Sequence, residues 1–124
     1  EPETTGIDIY LGTGGAPEGV LAASALRCMG GQMQGRLVIS SDEQKERARR
    51  MGIDDIRRKF DMADMAKGDV VFAATGVTDG NLLAGVHFGR RSITTHTVVM
   101  RASTGTVRWI KAEHQDLEKF DGDV

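Results

Sequence analysis

The sequence predicts an α/β domain in which a mixed sheet is flanked by helices. Residues 7–12 alternate apolar and polar side chains and precede a glycine-rich turn and an apolar segment, a pattern typical of strand, turn and helix. Residues 69–75 are almost wholly apolar, as expected for a central strand. Residues 93–103 and 105–114 alternate on either side of a short turn and predict a terminal hairpin.

The first predicted helix spans residues 20–29. Its side chains are apolar or small on nearly every side, so we expect it to be buried on more than one face. Gly30 and Gly31 follow it, and glycine is the usual residue just past a helix end. A second strand is predicted at residues 36–39.

A charged helix is predicted over residues 42–51. Three residues at its start are suitable N-caps: Ser40, Ser41 and Asp42. Its basic cluster is interpreted as a solvated helix face rather than a phosphate site, and comprises Arg47, Arg49 and Arg50. One or two further helical turns are expected over residues 61–67.

Composition narrows the possible partners and locations. The 124 residues suit one domain, and we expect loose ends at 1–5 and 115–124. The net charge of −2 disfavours nucleic acid and anionic membranes as partners. No apolar stretch approaches the ~20 residues of a spanning helix. A single cysteine, Cys28, allows no internal disulfide and fits a reducing cytoplasm. The chain starts at Glu1 rather than Met, so we expect a partial or processed protein.

Residues 12–19 (GTGGAPEG) carry the most informative pattern. Glycines allow close approach of the backbone to a ligand, and the amides at a helix start attract phosphate. Glu18 lies where a phosphate would rest, and two like charges about 4 Å apart repel by roughly 4 kcal/mol. A helix N-terminus returns only ~0.3–1 kcal/mol to an anion. A hard divalent cation between the carboxylate and the phosphate turns their repulsion into attraction through the metal. The segment therefore predicts a metal-assisted phosphate site.

A structural alternative remains for the same residues. Glu18 could simply be a first-turn acid that offsets the helix dipole, with the glycines forming a tight corner. One carboxylate cannot hold a catalytic metal, and the sequence identifies no partner for it: Asp8 falls in the preceding predicted strand, and Asp79 is distant in sequence.

Other motifs give weaker indications. The dinucleotide fingerprint G-x-G-x-x-G fails because Pro17 occupies its third glycine position. Residues 75–80 are interpreted as a turn that follows a strand, and Cys28 as a packed thiol. Three histidines lack metal-ligand spacing and are expected to be exposed or hydrogen-bonded strand residues: His87, His96 and His114.

Several long sequence words, in order, resemble class II fructose-1,6-bisphosphatase, a family of lithium-sensitive, metal-dependent sugar phosphatases. They lie at 14–23, 26–34, 74–80, 94–96 with 99–101, and 105–108. The resemblance is to the C-terminal part of a longer, layered phosphatase fold. It implies hydrolysis of the 1-phosphate of fructose 1,6-bisphosphate, and in some members of sedoheptulose 1,7-bisphosphate, by water attack assisted by Mg²⁺ or Mn²⁺.

The resemblance also assigns roles to two residues. Glu18 matches a metal ligand of the family and Gly15 a glycine that contacts substrate; no catalytic residue is expected in this chain. Most of the family's metal carboxylates and sugar contacts lie in a preceding half that is missing here, so we expect the isolated chain to be inactive or nearly so. The complete enzyme would be a cytoplasmic homo-oligomer of gluconeogenesis or carbon fixation.

Two alternatives of other classes stay open. The chain could be a non-enzymatic fragment that self-associates through exposed strand edges, or an α/β domain that binds a nucleotide without metal.

Overall fold

A computed structural model describes residues 6–115. The loose ends predicted at 1–5 and beyond Gln115 lie outside the described residues. The elements, in chain order, are α1 (Ala16–Met29), β1 (Gln34–Arg36), α2 (Asp42–Arg50), β2 (Lys59–Asp61), α3 (Met62–Met65), β3 (Val71–Thr75), β4 (His87–Phe88), β5 (Ile93–Arg101) and β6 (Thr106–His114).

The main sheet is built around β5. Strand β6 pairs with β5 along its whole length, while β3 pairs with residues 97–101 and β4 with residues 93–94. Because a strand has two edges, β3 and β4 share the edge opposite β6. The second sheet consists of β1 and β2. Helices and sheets together confirm the predicted α/β class.

Strand direction differs in detail from the mixed sheet that we predicted. Every strand pairing among residues 6–115 is antiparallel. The predicted strand at 7–12 would have supplied the parallel partner, since a strand, helix and strand in succession give a parallel pair. That segment forms no strand here, and its side chains are exposed, Tyr10 by 86%. Alternation alone does not hold an extended segment in place without a hydrogen-bonded neighbour.

The core lies between α1 and one face of the main sheet. Val98 and Met100 of β5 are buried together with Cys28 of α1 and Leu83 from the loop after β3. Phe72 and its β3 neighbours pack against this cluster. Alternate residues of a strand face the same side, so Val98 and Met100 lie on the face of β5 that meets the helix.

The prediction that α1 is buried on more than one face was wrong for the described chain. Only Ala23 and Cys28 of the helix are buried, and Leu21 is 59% exposed. The helix packs on one face of the main sheet and against α3, and much of its remaining surface is exposed. It also begins at Ala16, earlier than the predicted residue 20, because Pro17 is accommodated in the first turn.

The segment between α1 and β3 agrees only partly with prediction. Strand β1 lies at 34–36 rather than 36–39, and its partner β2 was not predicted because three residues are too few to display a period. Helix α2 matches 42–51 closely, with Ser41 accepting the Gln44 N–H as its cap. Arg47, Arg49 and Arg50 of α2 are exposed, as expected. None of the described helices is long and apolar enough to cross a bilayer.

Asp69 ties the start of β3 to the end of β5. Arg101 donates to Asp69 Oδ2 from Nε (2.8 Å) and Nη2 (2.5 Å), and the Ser103 N–H donates to Oδ1 (3.1 Å). These hydrogen bonds, that of Arg101 foremost, lower the pKa of Asp69 from 3.8 to about 2. The carboxylate therefore stabilises the folded chain while it is ionised.

Acidification is expected to remove this stabilisation. The folded pKa of Asp69 lies below the unfolded one, so the contribution is present above about pH 4 and is lost as the pH falls towards 2. Urea midpoints of the wild type and Asp69→Asn should differ at pH 7 and converge near pH 2, by a modest amount because the pair is solvent-accessible. Asp54→Asn, an exposed control, should follow the wild type. A gap that is equally large at both pH values would contradict this account.

Candidate metal and phosphate site

Residues 12–15 of the glycine segment precede α1, and residues 16–19, which were predicted to lie before the helix, form its first turn. Gly15 is the N-cap in an extended conformation (φ −66°, ψ 149°) and offers no side chain to the first-turn amides. Its carbonyl accepts the Gly19 N–H at 3.0 Å. The N-terminal amides of α1 that have no intrahelical acceptor therefore stay available to an anion.

Glu18 folds back over this corner. Its Oε2 occupies the space that a Cβ on Gly15 would fill, and its Cδ lies 3.1 Å from that position. A glycine at 15 is thus what allows the carboxylate to approach the helix start. Among residues 6–115, Glu18 forms no ion pair and no side-chain hydrogen bond.

A cavity of about 310 Å³ opens at the corner. Its lining includes Gly15, Glu18 and Arg36, the last residue of β1. The cavity is thus lined by an acidic residue, a helix start with free amides and a basic residue, a combination that suits a metal-bound phosphate. Arg36 was not identified from the sequence, because nothing in a short strand signals that its last residue faces the glycines.

Glu18 is the one acidic residue among the described residues that line this cavity. Residues 6–115 contain no group of three or more His, Cys, Asp or Glu side chains that could hold a metal. Asp8, placed by prediction inside a strand, instead lies in an exposed segment and lines a neighbouring cavity. Asp79 lies in the loop after β3, where it forms hydrogen bonds with Gly85 and His87. Glu18 therefore fits a divalent cation as one ligand of a larger set.

The loop after β3 is held by its own hydrogen bonds. Asp79 Oδ1 accepts from the Gly85 N–H (2.8 Å) and from His87 Nε2 (2.9 Å). These bonds, that from Gly85 first, hold the pKa of Asp79 below its ordinary value. The arrangement agrees with the interpretation of 75–80 as a structural turn.

The histidines and the cysteine also occupy the expected environments. The three histidines lie on strands, His87 on β4, His96 on β5 and His114 on β6. Each ring forms a hydrogen bond: His87 with Asp79, His96 with the Ala84 N–H and His114 with Thr95. The Cys28 thiol is buried in the core and lies 3.7 Å from the Val70 carbonyl oxygen.

Comparison with known proteins identifies the family. A model of bacterial fructose-1,6-bisphosphatase, glpX-encoded, matches residues 2–114. The chain is 37% identical over 123 residues to proteins named D-fructose 1,6-bisphosphatase class 2/sedoheptulose 1,7-bisphosphatase from two Synechococcus strains, JA-3-3Ab and JA-2-3B'a(2-13). It is 35% identical over the same length to the protein of that name from Gloeobacter violaceus.

These alignments cover 89% of this chain and 35–36% of each relative. The chain thus spans about a third of the length of the curated relatives it matches. The family match extends over the glycine corner, the core elements and the terminal hairpin. The chain therefore belongs to the family of glpX-encoded bacterial fructose-1,6-bisphosphatases.

Proposed function

We propose that this chain is one part of a phosphatase that hydrolyses the 1-phosphate of fructose 1,6-bisphosphate, and also sedoheptulose 1,7-bisphosphate. The observation that carries the proposal is the position of Glu18, which lies over Gly15 without an ionic partner in the described chain. A carboxylate at a helix start is ordinary, but one folded against a bare glycine in a cavity with Arg36 is suited to a metal-bound phosphate.

The chain's own residues would take three roles. Glu18 would supply one oxygen ligand to Mg²⁺ or Mn²⁺, both of which accept carboxylate oxygens. The amides that follow Gly15 would bind phosphoryl oxygens, and Arg36 would offset their charge. The bound cation would polarise the phosphate and lower the pKa of the attacking water.

The remaining ligands would come from protein outside this chain. The relatives are about three times as long as the matched region, and the described residues offer no further metal carboxylates beside Glu18. We propose that the missing N-terminal half supplies them and that the complete enzyme is a cytoplasmic homo-oligomer of gluconeogenesis or carbon fixation. The single cysteine, buried as a free thiol, is compatible with a reducing compartment.

A chimera tests the proposal. Residues 6–115 would replace the matching third of the Synechococcus sp. strain JA-3-3Ab relative. We expect the chimera to release phosphate from fructose 1,6-bisphosphate with Mn²⁺ and to lose that activity in EDTA, while the 124-residue chain alone releases none. Substantial Mn²⁺-dependent release by the isolated chain, or a folded chimera without activity, would contradict the proposal.

The two alternatives receive unequal support. A nucleotide domain would need a strand before α1 and parallel pairing, and the described residues contain neither. Self-association of the isolated chain is favoured by its exposed apolar side chains, among them Tyr10, Leu11 and Phe88. Light scattering across a concentration series tests self-association of the isolated chain, because a monodisperse monomer at all concentrations argues against it.

A further inference from the structure

A second cavity lies on the main sheet, beyond the part that α1 covers. It measures about 510 Å³, and four of its lining residues carry polar side chains: His87, Thr94, His96 and Lys111. Strand register explains why they converge. Thr94 and His96 are two apart on β5 and share a face, and their direct partners across the strands are His87 and Lys111. The cavity shares no lining residue with that at Gly15.

Three of these side chains present hydrogen-bond donors. The Ala84 N–H donates to His96 Nδ1 at 3.1 Å, so that nitrogen carries no proton and the neutral ring donates through Nε2. The Lys111 ammonium has three donors and forms no ion pair or side-chain hydrogen bond within residues 6–115. Thr94 adds a hydroxyl. Directly opposite side chains in antiparallel strands lie about 5 Å apart at Cβ, close enough for His96 and Lys111 to contact one small ligand.

Neither of the two acidic residues near the cavity, Asp79 and Glu113, is among its lining residues. Asp79 Oδ1 is bound by His87 and by the Gly85 N–H. Glu113 pairs in register with Thr94 and lines a different cavity together with Arg91. The unpaired charge that lines this cavity is therefore the cation of Lys111.

We propose that this cavity binds a phosphate-type oxyanion, either free or as the phosphate group of a small organic molecule. Donors on β5 and β6 would bind the oxygens, and the cation would offset their charge. The apolar surfaces of Ala84 and of the histidine rings line the rest of the space and would accommodate an organic body. This site does not depend on Glu18 or on a divalent metal.

Titration of the 124-residue chain in EDTA tests the site without metal at Glu18. Inorganic phosphate and glycerol 3-phosphate would be added separately, and backbone and histidine resonances would be followed by NMR. We expect saturable shifts at Ala84, Gly85 and His96. Tighter binding of glycerol 3-phosphate would indicate an organic phosphate as the ligand, and equal binding would indicate the free anion.

Charge variants separate a built site from general attraction. Lys111→Gln is expected to weaken binding at least tenfold. Arg108→Gln changes net charge equally on the same strand but faces the opposite side of the sheet, so it should change binding less than twofold. Glu113→Gln is expected to tighten binding by removing a like charge. Equal effects of Lys111→Gln and Arg108→Gln, absence of saturable shifts in the folded chain, or shifts confined to Gly15 and its neighbours would overturn the proposal.

Discussion

Replacing Glu18 by glutamine is expected to lower kcat of the chimera about 10²- to 10³-fold, which corresponds to roughly 3–4 kcal/mol of transition-state stabilisation. Glutamine keeps the shape of the side chain but removes the charge that binds a divalent cation. The carboxylate forms no ion pair in the described chain, so the substitution breaks no salt bridge and its effect reports on metal binding. Steady-state kinetics over a range of Mn²⁺ concentrations would measure both kcat and the metal concentration for half activity, which should rise.

The structural alternative predicts a different outcome for the same variant. A first-turn acid that only offsets the helix dipole contributes about 0.3–1 kcal/mol to folding. Glu18→Gln would then lower stability slightly and leave kcat within a few fold of the wild type. Thermal unfolding measured without metal, alongside the kinetics, distinguishes the two interpretations. Loss of a metal ligand reduces activity far more than it reduces the stability of the metal-free protein.

Two glycine variants provide a matched control at the same corner. A Cβ on Gly15 would occupy the space of the Glu18 carboxylate, whereas a Cβ on Gly14 meets nothing within 4 Å. Neither glycine has a positive φ, so the backbone conformation at both positions is open to alanine. We expect Gly15→Ala to displace the flexible Glu18 side chain and reduce activity at least tenfold, and Gly14→Ala to leave it within about twofold. Equal activities would argue against the proposed use of the bare glycine.

Long periodic segments were predictable, and short ones were not. Residues 93–114 alternate over nine residues in each of β5 and β6. Both segments form strands as predicted because they pair with each other. Residues 7–12 display the same alternation but form no strand in the described chain. Whether such a segment pairs depends on a neighbour that its own sequence does not specify.

The candidate site divides along the same line. Gly15 and Glu18 are three residues apart, so the geometry of a helix start fixes their relation. Chemistry pointed to Glu18 within the glycine segment, and the family resemblance pointed to Gly15. Arg36 reaches the same cavity through β1, and the cluster around Lys111 is assembled from three strands by register. Such contacts depend on tertiary pairing, which leaves no local pattern in the sequence.

Gly76→Ala is expected to destabilise the chain by about 3 kcal/mol or more, a large share of the ~5–15 kcal/mol typical of a domain. A Cβ at this position would overlap the Ala84 carbonyl oxygen and lie 2.9 Å from its carbon and 3.1 Å from the Cβ of Leu83. The obstacle is backbone, which cannot rotate away as a side chain can. Leu83 belongs to the buried core, so relief of the overlap would disturb packing on Val98 and Met100.

Gly80 in the same loop provides the control. A Cβ there would meet only the Leu83 carbonyl oxygen, at 3.7 Å, and its φ is not positive, so Gly80→Ala should change stability by less than about 1 kcal/mol. Urea unfolding of both variants would measure the difference. If residues 75–80 instead served a ligand, both variants would fold like the wild type and lose activity in the chimera. We therefore expect the first glycine of this loop to be required by a backbone contact and the second not, as in a segment that serves packing rather than ligand binding.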